Sequence, residues 1–550
     1  MEPSDIPTVL AAATCQCLPD FRRAAEPFDR GDSDFILRSS DGVDFFVHRI
    51  ILSLSSPLFS TMLSLPQPTD DTSEGVKCIR QPIINLTEDS ETLDTFLRLC
   101  YPLVDPPLAS FDLIRGALAT ATKYDAAVAL VSAKKALVQP HLLEDDPLRC
   151  FSIACCYGLE EEAEIAAERA VIDDRVVGGV CPELDEIPAA AYYRLFKLQR
   201  TKKVVDSPRH PGLQCYSVDF ADVSPFRQHP SCAIDASART PLRSVDYPFE
   251  ASDADLILRS KDDVDFRVHQ MLIAFASPNI LQLAPRIAQI DTLSGLPVHQ
   301  LDEDSVVADA MLRMCYPVDH PRAMDTDVLI DVLEAAGKYR MKKVMQTIQY
   351  SWPTFAEQES LRLYLVAARC GWDEEARAAA RRLVQRHDVA SIYAHYVPSM
   401  EKMANGPYRR LLLYVIGCSA AASATCELAL DSQRYGRTCP ECRDRFPVTF
   451  TTDTELPWRE TGTISLRTEF KVALKSRPTR STLSATTDVS KSFLSATVAT
   501  PKCSYASSSK SKCRAARNLR WAFAVLESYG AAVERAVEQV SPTLTPRKSV

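Results

Sequence analysis

A chain of 550 residues, 46% hydrophobic and 25% charged, has the composition of an ordinary globular protein and room for roughly three to four domains. Its net charge of −9 is uneven: residues 431–550 hold 20 Lys and Arg against 11 Asp and Glu, the rest 43 against 61. An acidic body of that kind repels phosphate backbones, which argues against nucleic-acid binding there and leaves only the basic tail for it.

The opening residues, MEPSDIPTVLAAATC, place acidic groups where an export signal needs basic ones. Residues 1–29 are expected as a flexible N-terminus, and the compartment as cytoplasm or nucleus. The 18 cysteines are scattered through apolar patterns such as CFSIACCYG, so they read as reduced, buried thiols and not as a disulfide framework. Next, DFILRS (34–39) and DFFVH (44–48) flank a turn and predict a β-hairpin. Ile51, Leu52, Leu54 and Leu58 then fit a buried helix, and Ser56-Pro57 opens another. A short strand, PIINL, precedes a helix with Ser90 in the capping position and Leu93, Phe96, Leu97 and Cys100 on one face. Two further helices carry ATKYDA and AVALVSAKKALV. In the helical stretch that follows, Glu160, Glu161 and Glu162 sit at a helix start, where acidic groups favour the dipole; they are not an acid/base pair.

The chain then repeats itself. Asp32–Pro57 and Asp253–Pro278 align without a gap and are identical at 14 of 26 positions. Further on, LRLCYP is echoed by LRMCYP, ATKY by AGKY, and CCYGLEEEA by ARCGWDEEA. A period of 221 residues is too long for a solenoid unit and implies two domain-sized copies. The copies are not equal: Phe59 is replaced by Ile280, and Pro285 interrupts the helix that follows. Leu411–Thr425 is apolar but too short to span a bilayer, so a buried helix is expected and no membrane association.

The order hairpin, F-x-V-H, helix, S-P, strand, C-Y-P helix and K-Y helix resembles a BTB/POZ domain. The C-Y-P form is similar to versions abundant in filamentous fungi, of basidiomycete-like type. The resemblance implies an α+β fold class: two tandem BTB/POZ copies, each a small sheet capped by a helical cluster and followed by stalk helices. The expected boundaries are 30–140 and 250–355 for the copies, 141–206 and 356–430 for the helical extensions, and 207–249 for the linker. A basic low-complexity segment with a Cys-x-x-Cys (431–514), its Ser-, Thr- and Lys-rich stretch at 475–515 expected to be disordered, and an amphipathic helix (515–540) follow. Asp34 with His48, and Asp255 with His269, match the family's recurring Asp and His and are implied to support the fold near a pairing face, together with Phe59.

Nothing in the pattern points to catalysis. No hydrolase elbow, phosphate-cradling glycine loop or metal-ligand histidine spacing is found, so no catalytic residue and no enzyme activity is expected. Cys439 and Cys442 supply half of a zinc site on a Pro-containing turn; no second half stands at a familiar spacing, so zinc stays open and no other cofactor is expected. By resemblance the chain is a non-enzymatic scaffold or adaptor whose partners are proteins. The expectation is an intramolecular BTB pseudo-dimer, with homodimer pairing between chains as the alternative. A cullin ubiquitin-ligase adaptor and a nuclear transcriptional regulator remain as further readings. The hydrophobe-x-Glu element of cullin binders is not clear in Ser64–Gln81 or Ile287–Gln300.

Overall fold

In the computed structural model, β1 (Arg22–Arg23) runs parallel to β3 (Val43–Val47), which pairs antiparallel with β2 (Phe35–Arg38). The structure describes residues 22–64, 82–205, 245–284, 295–318, 326–355, 360–401, 403–427, 466–484, 487–488, 490–491 and 511–542. It divides into two units: Met1–Ile187 with Arg194–Phe226, and Pro188–Tyr193 with Arg227–Val550.

In the first unit, buried and half-buried residues alternate along β2 and β3, the mark of a sheet with one face on a core. After β3 come α1 (Arg49–Ser55) and α2 (Pro57–Ser64). Then β4 (Ile83–Asn85) joins the sheet beside β2, for the order β1-β3-β2-β4. The helices α3 (Ser90–Cys100), α4 (Phe111–Lys123) and α5 (Ala127–Leu137) complete the cluster. Beyond them lie α6 (Pro140–Asp145), α7 (Pro147–Cys156) and α8 (Glu160–Ile172), then α9 (Ala189–Val205), whose residues 189–193 belong to the second unit. The core joins Leu37, Phe45, Leu52, Phe59, Phe96 and Ile114, all buried.

Two expectations shift here. Asp89, not Ser90, caps α3, accepting the Thr92 N–H at 2.8 Å; Ser90 is instead engaged by Asp41 of the hairpin turn, through its N–H at 2.8 Å and its hydroxyl at 2.7 Å. Phe28 is buried, with its ring edge-on to Tyr101 at 5.2 Å, so the packed core takes in residues ahead of the expected boundary at 30.

The second unit writes the same order with smaller parts. β5 (Leu256–Arg259) and β6 (Asp265–Val268) form the hairpin, and β7 (Val298–Gln300) adds in parallel for the order β6-β5-β7. Between hairpin and β7 stand α10 (Gln270–Ala276) and α11 (Ile280–Leu283); α11 is half the length of α2. It ends ahead of Pro285, which lies outside the described residues. The helices α12 (Ser305–Arg313), α13 (Thr326–Lys338) and α14 (Lys342–Phe355) follow, then α15 (Ser360–Arg369), α16 (Asp373–Arg386) and α17 (Val389–Ala394). Phe249 takes the place of Phe28, edge-on to Tyr316 at 5.4 Å, again just ahead of the expected boundary. Gly158 and Gly371 repeat one left-handed turn, with φ of +66° and +72°, between α7 and α8 and between α15 and α16. That conformation favours glycine because no Cβ meets the following carbonyl.

The apolar run at Leu411 lies in α18 (Asn405–Ala424), where Leu411, Leu412, Val415 and Cys418 are buried. No described helix is long and apolar enough to cross a membrane. The basic low-complexity segment holds α19 (Leu466–Ser476) and, inside the stretch expected to be disordered, a 3-10 turn at Arg480–Leu483. Both pack with α18 and the last helix, α20 (Ser511–Gln539), around Ala422, Leu474, Leu483 and Val533. The eleven-residue α19 lies almost wholly ahead of the Ser-, Thr- and Lys-rich stretch at 475–515, and its Phe470 and Leu474 face this core.

Candidate protein-interaction face

The repeated motifs converge on the start of one helix in each unit. His48 stands between β3 and α1; its N–H donates to the Tyr101 hydroxyl at 2.8 Å, and its Nδ1 lies 3.3 Å from the same oxygen. In the second unit His269 meets Tyr316 at 2.8 and 3.1 Å. The C-Y-P motif therefore supplies the tyrosine that satisfies this backbone donor, and burial pushes the Tyr101 hydroxyl up to about 12. Asp34 Oδ1 accepts the Arg49 N–H at 2.6 Å, and Asp255 Oδ1 the Gln270 N–H at 2.6 Å. Each Asp thus satisfies one of the orphan donors at the helix start from a neighbouring strand. The structure does not pair Asp34 with His48: the imidazole Nε2 instead lies 3.6 Å from Asp32, and that of His269 3.4 Å from Asp253.

The S-P and K-Y motifs form a second tie. The Ser56 hydroxyl donates to the Tyr124 carbonyl and accepts the Phe59 N–H at 3.0 Å. Ser277 does the same with Tyr339 and Ile280, at 2.5 and 3.0 Å. The Tyr124 hydroxyl and Lys123 Nζ then converge on Glu88 at 2.8 and 2.6 Å; Tyr339 and Lys338 converge on Glu303 at 2.7 and 3.0 Å. Desolvation works to raise the Glu88 carboxyl, but Lys123 and Tyr124 outweigh it and hold the carboxyl below its usual range. Across the hairpin, Arg38 grips Asp44 through two bonds of 2.6 and 3.0 Å, and Arg259 grips Asp265 at 2.6 and 2.9 Å. Sequence reasoning missed Tyr101, Tyr316, Glu88 and Glu303 as members of this network; the echo of C-Y-P and K-Y carried the signal without naming partners.

What these ties hold is a short helix with an exposed apolar side. Of the four residues expected to be buried, Leu52 is buried, Ile51 half-buried, and Leu54 and Leu58 lie in solvent. Ile50 is 66% and Leu54 80% exposed. In the second unit Met271 is 65% and Phe275 84% exposed, at the positions the repeat makes equivalent, and only Ile273 is fully buried on α10. A seven-residue helix buries one line of side chains against its own core, and the i, i+4 pair on the opposite line stays outside. Phe59 is not on this surface. It is fully buried and stacked on Tyr124 with centroids 4.6 Å apart, with Phe96 at 6.3 Å.

With this geometry in view, a comparison with protein families finds one match. Residues 26–139 match the BTB/POZ domain. A search of curated proteins finds no match. A BTB/POZ domain supports a protein–protein interaction role, and domains of this kind are generally interaction modules and not enzymes. The match begins at residue 26, in keeping with the buried place of Phe28 in the BTB/POZ core. The candidate zinc ligands Cys439 and Cys442 lie outside the described residues, and among the described residues no group of His, Cys, Asp and Glu is placed to hold a metal ion.

Proposed function

We propose that this chain is a non-enzymatic interaction scaffold in which residues 246–355 form a second BTB copy, and that the two copies pair through the exposed faces of α1 and α10. The observation that carries the reading is the repeated exposure of Ile50 and Leu54 in one unit and of Met271 and Phe275 in the other. Large apolar side chains grouped on one helix face and left in water mark an association surface. Because one chain carries both faces, each has a matching partner at high effective concentration, which favours an intramolecular pseudo-dimer over a homodimer. The solution mass of the full chain at micromolar concentration tests this form: one chain is expected, and two chains would move the pairing from within to between molecules.

A cullin-adaptor role and a nuclear regulatory role are finer readings of the same scaffold. The loops that would carry a cullin-binding element fall largely at 65–81 and 285–294, outside the described residues. Calorimetric titration with the amino-terminal domain of a cullin decides the first: sub-micromolar binding supports it, and silence from the folded chain removes it.

A further inference from the structure

Within the second unit the last helix is held by an apolar seam and a charged clasp. Leu526 and Val533 of α20 are buried, and Tyr529 and Val537 pack beside them against Leu474 and Leu483. Across this seam lies Arg480, from the 3-10 turn. Its stem passes over Gly530, where a Cβ would come within 2.9 Å of the Arg480 Cγ. Its guanidinium then reaches Glu534 at 3.1 Å and Glu527 at 3.7 Å, one turn to either side of that glycine. All three charged groups are at least half exposed, so the clasp is open to competition from solvent-borne charge.

The residue next to Arg480 is Ser481, which is exposed, its hydroxyl 2.8 Å from that of Thr479. The neighbouring Thr482 is buried and its hydroxyl is committed to the Arg477 carbonyl at 2.6 Å, so of these two adjacent hydroxyls Ser481 is the accessible one. Lys475, Arg477 and Arg480 stand just ahead of it in the chain, a run of positive charge of the kind that an acidic kinase cleft engages. We propose that Ser481 is a phosphorylation site for a kinase that reads basic residues, and that its phosphate loosens the docking of α20.

The chemistry is a phosphoryl transfer. The Ser481 oxygen forms a bond to the γ-phosphorus of a nucleoside triphosphate as the bond to the leaving diphosphate breaks, and the hydroxyl proton passes to the kinase's base. The product carries close to two negative charges beside Arg480, where it competes with Glu527 and Glu534 for the guanidinium and repels both carboxylates. The apolar seam remains, so the effect is a graded loosening and not a loss of fold.

The test uses the full chain with ATP, magnesium and a basophilic protein kinase, with the modified residue mapped by peptide mass and amide exchange followed across residues 526–539. The expected result is phosphate on Ser481 and exchange about three- to ten-fold faster in that segment. Arg480→Ala should already exchange at the faster rate and gain nothing further from phosphorylation. Ser481→Glu should reproduce part of the acceleration only when Arg480 is present. A kinase that leaves Ser481 unmodified overturns the site. Unchanged exchange in the phosphorylated chain, or equal acceleration in the Arg480→Ala background, overturns the mechanism.

Discussion

The two units keep the same polar ties and fill the space between them differently. Arg38 with Asp44 and Arg259 with Asp265, His48 with Tyr101 and His269 with Tyr316, Ser56 with Tyr124 and Ser277 with Tyr339 agree within a few tenths of an ångström wherever distances can be compared. The filling has drifted. Phe59, Phe96 and Tyr124 form an aromatic cluster in the first unit, whereas Ile280 stands in the place of Phe59 on a helix of four residues. The lesson is that a buried donor or acceptor tolerates little change, because losing its partner exposes the full desolvation penalty, whereas an apolar site accepts any side chain of workable volume.

That contrast can be broken most strongly at the filling. Phe59→Ala should cost about 3–5 kcal/mol in chemical denaturation of the full chain, more than Ile280→Ala at about 2–4 kcal/mol. Equal losses would mean that the aromatic cluster adds nothing over an aliphatic contact. A second probe is the buried carboxylate of the first unit. Glu183 is buried, in a 3-10 turn at Pro182–Asp185, and accepts from Arg149 at 3.0 Å and from Arg115 at 3.5 Å. Glu183→Ser should cost about 3 kcal/mol by leaving Arg149 without its buried carboxylate; a neutral result would show that Asp112 alone satisfies it.

The shared ties give smaller and matched effects. Tyr101→Phe and Tyr316→Phe each remove the acceptor for a histidine N–H, and each should cost about 1–2 kcal/mol. Unequal costs would separate two sites that look alike. The smallest effect is a pH dependence at the hairpin turns. Hydrogen bonds from Ser39 and then Ser90 hold the Asp41 carboxyl below its usual range; at Asp262 desolvation acts upward, and Ser260 and Ser305 prevail to the same end. A carboxyl depressed in the folded state contributes stability above the unfolded value of about 3.9, and that contribution is lost as pH falls through the folded value. Asp41→Asn and Asp262→Asn should therefore each flatten part of the stability loss below about pH 4, measured by denaturant titration at stepped pH.

Much of this was legible in the chain itself. The repeat, the hairpins and the order of helices follow from spacing and identity, and the resemblance pointed to Asp34, His48 and their echoes. The partners of those residues did not follow, because Tyr101 lies 53 positions from His48 and a one-dimensional pattern records no contact. The outward face of α1 is hidden from the sequence for a different reason. A stripe of Ile and Leu looks the same whether it faces its own core or a partner, and only the packing of Leu52 beneath it shows that Leu54 is left over. The packed regions begin ahead of residues 30 and 250, with Phe28 and Phe249, which lie in short irregular segments without periodicity.

The most direct test of the proposed pairing is the solution mass of the Phe275→Asp chain, determined by sedimentation beside the Leu54→Asp, Phe275→Asp double variant. Placing a charge on α10 alone should free the Ile50 and Leu54 face to pair between molecules, so the single variant is predicted to shift from one chain to two and the double variant to return to one. A Phe275→Asp chain that stays folded and sediments as a single chain at every concentration would contradict the account.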